Sequence, residues 1–291
     1  VESYLVWHIE GGLGKNIAAT SLIESLHDRY PDRKIIIVAS YPDVFLNHRL
    51  IYRVYRIGNT QYFYDDYIKN KDTLVFRHEA YYESNHISKR KHIIDSWCKL
   101  MDLEYKNQMP VINFNLVQQR SSQKWIREKP IFLIQTNGGP FNSESAYSWA
   151  RDIPFDISLK IAESMIKDYH VIQICKPSSR QIPGAEVISD QLSPIDLFLL
   201  LALSEKRLLI DSCLQHAASA LNLPSAVLWI ATSPANFGYT LHKNIIANPP
   251  EIEPKLPNSY LFDYSFDGVA YECPYYSTDE MFNVGEIIKS I

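Results

Sequence analysis

Residues 4–39 read YLVWHIEGGLGKNIAATSLIESLHDRYPDRKIIIVA. The stretch opens on a short apolar run, Tyr4 to Ile9, and turns through Gly11, Gly12 and Gly14. Apolar side chains then recur at Ala19, Leu22, Ile23, Leu26 and Tyr30, in steps of three and four that place them on one face of a helix. Pro31 stops that helix, and Lys34 to Ala39 returns as a buried strand. Strand, glycine turn, helix and strand form a βαβ unit, which implies parallel strands with a helix laid over them.

The same alternation continues outward. Ile51 to Ile57 and Thr73 to Phe76 have strand character, and His86 to Met101 carries Ile93, Ile94, Trp97, Cys98 and Met101 on one helical face. Residues 106–129 are polar and bracketed by Pro110 and Pro130, which predicts a linker near Ser121 to Lys129. A second series follows: strands at 131–135, 170–175, 186–188, 207–210 and 225–230, with helices at 155–169, 194–203 and 212–221 between them. Residues 238–264 are proline-rich loop, and 279–291 predict a closing helix. Strands alternating with helices argue for parallel sheets covered on both faces. The expectation is an α/β protein of two Rossmann-like domains, 1–125 and 126–291, facing across a cleft, with the last helix packing back on the first domain. Such sheets bind ligands beyond the carboxyl ends of their strands.

Composition narrows the function. The chain has 291 residues and a net charge of −4, which is unlike a nucleic-acid binder with its basic excess. Its four cysteines, Cys98, Cys175, Cys213 and Cys273, are scattered without zinc spacing. They predict free thiols in a reducing cytoplasm and no metal centre. No apolar run has the roughly 20 residues of a membrane span. The first residues do not read as a secretory leader. The protein is expected in the cytoplasm, with contact at most to the inner face of a membrane.

Two motifs carry chemistry. In Glu10-Gly11-Gly12-Leu13-Gly14-Lys15-Asn16 the glycines let a backbone approach a ligand, and the following helix start favours an anion. It is neither a P-loop nor a GxGxxG fingerprint, because Ile9, Asn16 and Ile17 break those patterns. The second motif is Asp211-Ser212-Cys213-Leu214-Gln215-His216-Ala217-Ala218. A buried strand ends at Ile210, Asp211 or Ser212 is placed to cap a helix, and His216 lies one turn inside. Carboxylate, hydroxyl, open N–H groups and imidazole at one strand end suit a nucleotide's ribose and diphosphate. A tight turn and an ordinary N-cap are the structural alternatives.

This second motif, followed by Leu223-Pro224-Ser225-Ala226-Val227-Leu228-Trp229 and Thr232-Ser233-Pro234, resembles the signature of glycosyltransferase family 9, the ADP-heptose:lipopolysaccharide heptosyltransferases. The GGLG turn with Thr20 and Tyr30-Pro31 resembles the family's opening segment. Ala150-Arg151-Asp152-Ile153-Pro154 resembles its K-x-W-P segment, and Asp190-Gln191-Leu192 and Tyr271-Glu272-Cys273-Pro274 fit its later segments. Residues 40–125 carry almost none of the likeness. The resemblance implies a GT-B fold, a nucleotide-sugar donor in the second domain, an acceptor hydroxyl in the first, and inverting transfer without metal or other cofactor.

Asp211, Ser212, His216, Arg151, Thr136, Asn137 and Lys176 are the expected donor-binding residues. Gly11, Gly12, Gly14, Lys15 and Asn16 would line the transfer point. The departures are informative. Lys15 stands where the family carries the Asp that serves as base, and a lysine binds phosphate rather than accepting a proton. Glu10 or Asp43 could replace that base. Lys89, Arg90 and Lys91 form a basic run that could meet an anionic glycan or lipid-linked acceptor; the bland reading is a solvated helix face. Three alternatives stay open. One is a nucleotide-sugar-binding partner or regulatory subunit that has lost catalysis. Another is transfer to a protein, polymer or modified base. The third is fucosyltransferase-like chemistry, since GGLG-x-N is similar to that group's GG-x-GN turn.

Overall fold

The computed structural model describes residues 1–88, 90–139, 147–189, 192–251 and 273–291. Lys89, Asp190, Gln191, Tyr271 and Glu272 lie outside the described residues. The chain divides into two compact units, Val1–Arg120 and Ser121–Ile291.

The first unit runs β1 (Ser3–Ile9), α1 (Leu13–Ala19), α2 (Ile23–Arg29), β2 (Lys34–Ala39), β3 (Ile51–Arg56), α3 (Phe63–Tyr67), β4 (Asp72–Phe76), α4 (Ser84–Ile87), α5 (Ile93–Leu100) and α6 (Leu116–Ser121). Its sheet is parallel, in the order β3-β2-β1-β4. The two central strands are almost wholly apolar because both their faces are covered, whereas the edge strand β3 is partly exposed. On one face Tyr4, Val6, Ile36 and Val38 pack with Tyr67 of α3. On the other, Trp7 meets Trp97 of α5 edge to face at 5.6 Å. The Trp97 indole also donates to the His78 carbonyl at 3.2 Å, tying α5 to the chain just after β4.

The predicted first helix is two helices joined by a 3-10 turn at Thr20–Leu22. Thr20 and Ser21 hydroxyls bond back to the Ile17 and Ala18 carbonyls, both at 2.7 Å, and such back-bonding competes with the regular helix ladder. The predicted 86–101 helix is likewise split. Glu83 caps α4 by accepting from Asn85 and His86 N–H, and His92 caps α5 through Nδ1 to Ile94 N–H at 3.2 Å.

The second unit runs β5 (Ile131–Gln135), α7 (Phe155–Met165), β6 (His170–Ile174), β7 (Glu186–Ile188), α8 (Pro194–Leu203), β8 (Ser204–Ile210), α9 (Cys213–Ala220), β9 (Ala226–Trp229), α10 (Pro234–Phe237), β10 (Lys243–Ile246) and α11 (Val284–Ser290). The sheet order is β10-β9-β8-β5-β6-β7, again all parallel. Lys243–Ile246, read from sequence as loop, is a strand on the edge beside β9. The closing helix is shorter than expected. It packs on α7 of its own unit, where Met281, Phe282 and Ile287 share a core with Ile157 and Ile161. Among the described residues no helix is long and apolar enough to cross a membrane.

Each sheet has one place where the chain reverses its direction of winding. In the first it lies between β1 and β4, in the second between β5 and β8. The crevice beyond the strand ends at such a point is where open α/β sheets take ligands.

Candidate functional site

At the second sheet's switch point, β5 runs out into Thr136-Asn137-Gly138 and β8 into Asp211-Ser212. The two turns touch: a Cβ on Gly138 would stand 3.4 Å from Ile210 Cδ1 and 3.7 Å from Ser212 Oγ. Asp152 holds this corner together. One carboxylate oxygen accepts from Gly138 N–H at 2.9 Å, and the other from Asn137 Nδ2 at 3.0 Å and Ser148 N–H at 2.8 Å. Burial pushes the Asp152 carboxyl up, while those bonds and the Lys176 charge pull it back. Lys176 is itself buried beyond the end of β6.

Arg151 donates from Nη1 to the Asp211 backbone carbonyl at 3.1 Å. Burial raises the Asp211 carboxyl, and the Arg151 charge and the Thr232 hydroxyl oppose it. Thr136 Oγ1 donates to Asn137 Oδ1 at 3.0 Å. His216, on α9, shares a 2.8 Å hydrogen bond between Nδ1 and the Tyr239 hydroxyl, with the rings edge to face. Thus Thr136, Asn137, Lys176, Asp211 and Ser212 follow the ends of adjacent strands, Arg151 reaches Asp211 from the segment before α7, and His216 follows one turn into α9.

One expectation is corrected. Neither Asp211 nor Ser212 caps α9. Ser212 occupies the cap position with φ −157° and ψ −175°, and its side chain makes no capping bond. The extended backbone directs that hydroxyl toward Cys213 Sγ, 3.9 Å away. Burial pushes the Cys213 thiol up.

At the first sheet's switch point, Gly11 has φ +100°, a conformation that favours glycine. A Cβ there would meet Lys15 Cδ at 3.1 Å, because the lysine stem folds back across the turn. Asn16 secures the turn from the other side, donating to the Gly12 carbonyl at 2.9 Å and the Gly11 carbonyl at 3.3 Å. Its Oδ1 accepts from Tyr41 N–H at 3.4 Å. Gly12 occupies the cap position of α1, and Gly14 lies in its first turn.

Lys15 is buried, its side chain 5% exposed, and its ammonium pairs with Glu79 and lies 5.0 Å over the Tyr81 ring. The lysine expected to meet phosphate is therefore engaged with a carboxylate of its own unit. Both candidate substitute bases face an arginine. Glu10 pairs with Arg77, which holds its carboxyl below the usual range and makes it a weaker base. Asp43 faces Arg56 at 3.7 Å. Of the basic run, Arg90 is exposed, and Lys91, just before α5, pairs with Asp95 in that helix at 2.8 Å. Among the described residues no group of three or more His, Cys, Asp or Glu side chains could hold a metal ion.

Sequence reading overlooked Asp152, Tyr239 and Glu79 as site residues. Asp152 adjoins Arg151 in a segment already singled out. Glu79 and Tyr239 stand in no motif; only the fold brings them to Lys15 and His216.

No family's sequence profile matches the chain, and no curated protein sequence does. Solved structures do. A glycosyltransferase family 9 protein from Veillonella parvula superposes with a TM-score of 0.69 at 11% identity, over 99% of this chain and 95% of its own. The ADP-heptose heptosyltransferase II of E. coli gives 0.62 at 15% identity, over 84% and 90%. The iron-containing dodecameric glycosyltransferase TibC of enterotoxigenic E. coli gives 0.65 at 16% identity, over 99% and 74%. The chain therefore has the fold of the heptosyltransferase structures, two Rossmann-like α/β units of the GT-B class.

Proposed function

We propose that this protein is a nucleotide-sugar glycosyltransferase of the heptosyltransferase kind, with its donor site at the carboxyl edge of the second sheet. The supporting observation is the juxtaposition at the β5–β8 switch point of two cations, Arg151 and Lys176, with Asp211 and Ser212. Arg151 and Lys176 supply the positive charge a diphosphate needs, and Arg151 offers the planar fork that suits phosphate oxygens. Asp211 can accept from ribose hydroxyls, and α9 directs its first N–H groups to the same edge.

Transfer moves the anomeric carbon from a diphosphate oxygen to an acceptor hydroxyl. Negative charge grows on the departing nucleoside diphosphate, and fixed cations and helix N–H groups stabilise it without reorganising. On this reading the displacement inverts the anomeric carbon and calls on no metal or other cofactor. The acceptor is a hydroxyl of a glycan or lipid-linked glycan held by the first unit. The working compartment is the cytoplasm, including the inner face of a membrane. One solved relative in fold, TibC, is a complex with ADP-D-β-D-heptose, and E. coli WaaC is a complex with ADP. An adenosine diphosphate donor is therefore the first to try.

Thermal unfolding with ADP, GDP, UDP and CDP tests the reading, because a ligand of the folded state raises the melting temperature by mass action. One nucleotide should stabilise the wild type and lose its effect in Arg151→Ala and Asp211→Asn. Equal behaviour of all four nucleotides, or none, refutes it. Donor binding without transfer is a second reading, favoured by Lys15 standing where the resembling family carries a carboxylate. Release of nucleotide from a nucleotide-sugar separates the two.

A further inference from the structure

Resting on the transferase reading, we propose that Glu79 is the general base that deprotonates the acceptor hydroxyl, and that Lys15 is the residue that positions it. Glu79 follows β4, and the glycine turn follows β1, so the pair sits at the switch point of the first sheet. Four carboxylates near this edge can be compared. Glu83 is 4% exposed and is consumed by Lys99, Ser84, Asn85 and the α4 N–H groups it caps. Glu10 pairs with Arg77, an arginine 70% exposed, so its aim is not fixed by a buried partner. Asp43 faces an exposed arginine from the 3-10 turn after β2.

Glu79 alone of these four combines access with a fixed aim. Its side chain is 30% exposed, one oxygen pairs with the buried Lys15 ammonium, and the other accepts from Tyr81 N–H at 3.2 Å. Each carboxylate oxygen has a second lone pair left to take a proton. Lys15 in turn cannot swing away. Its stem crosses the Gly11 face, and its ammonium rests against Tyr81. The glycine turn is thus shaped around a lysine whose partner is a carboxylate.

In the step itself, the acceptor O–H bond breaks and its proton passes to Glu79. The oxygen forms a bond to the anomeric carbon, and the bond from that carbon to the diphosphate oxygen breaks with the electron pair leaving on the nucleoside diphosphate. Glu79 returns its proton to water. The charged and titratable groups around it are Lys15 from α1, whose charge also reaches Glu10, Tyr81 beside it, and His86 from α4.

The test uses the full chain with ADP-D-β-D-heptose, following ADP release with water in the acceptor's place, and ADP binding by thermal shift in parallel. Glu79→Gln should bind ADP as the wild type does and release it about 10²–10⁴-fold more slowly. Lys15→Met, which takes the cation from the Glu79 carboxylate, should slow release with ADP binding unchanged, and Lys15→Arg, which returns a cation to the pair, should recover part of the rate. A lysine that only filled space would be replaced by methionine without loss of rate. Glu79→Asp, which keeps the charge and withdraws it by one methylene, should show an intermediate rate; it also serves if the glutamine variant does not fold. Undiminished release by Glu79→Gln or by Glu79→Asp overturns the inference alone. So does a wild type that binds ADP and releases none from the sugar nucleotide. A wild type that does not bind ADP overturns the donor reading as well.

Discussion

Asp152 offers a severe test of how the second unit's site is held. It is buried and accepts three N–H groups, from Asn137, Gly138 and Ser148. Hydrogen bonds to a charged group contribute about 1.5–3 kcal/mol each. Removing the carboxylate also recovers the several kcal/mol spent on burying its charge. With two of the three bonds only partly buried, the balance for Asp152→Ala is a loss of about 2–4 kcal/mol. Asp152→Asn is subtler. The amide is nearly isosteric and uncharged, yet its NH2 must face at least one N–H donor, since both carboxylate oxygens accept. That exchange leaves a net loss of about 1–2 kcal/mol. Urea unfolding should rank the wild type above the asparagine variant and that above the alanine variant, with midpoints shifting and slopes unchanged. If either variant matches or exceeds the wild type, the buried charge outweighs its bonds and Asp152 is no organiser of the corner.

Three further outcomes are expected. Glu186 is pulled down to about 2 by Arg127 and His170, so its folded form favours the carboxylate; the stability it gives is present above about 4.5 and lost as pH falls toward 2. Glu186→Gln should therefore cost under about 1 kcal/mol at neutral pH, given its solvent screening, and the gap from wild type should close in acid denaturation below about pH 4.5. Gly11→Ala, at φ +100° and facing Lys15 Cδ, should lower stability by about 1–2 kcal/mol, and adding Lys15→Ala should not restore it because the backbone strain stays. Tyr62 has φ +60° and is 76% exposed, while among the described residues every other non-glycine in that region is Asn or Asp; Tyr62→Asn should raise stability by up to about 1 kcal/mol in thermal unfolding.

The sheets were legible because parallel strands buried on both faces read as runs such as KIIIVA and IFLIQ, between helices of clear period. The strand β10 was not, since Lys243–Ile246 lies on the edge, is half exposed and follows a loop-rich stretch. The helix splits at Thr20 and His92 depend on side chains turning back to the backbone, which a face-counting rule does not register. The donor-side residues share short motifs at strand ends and could be named together. Glu79 could not, because its partner Lys15 lies 64 residues away and only the placement of β4 beside β1 unites them.

The Trp97 indole bonded to the His78 carbonyl has an optical consequence. Of the five tryptophans, Trp7 and Trp97 belong to the first unit and Trp125, Trp149 and Trp229 to the second. Replacing the other four with phenylalanine would leave a single tryptophan, buried and hydrogen-bonded one residue away from Glu79. Its emission maximum and lifetime would then report the state of the loop that carries the proposed base, and an acceptor docking there would announce itself as a spectral shift before any product forms.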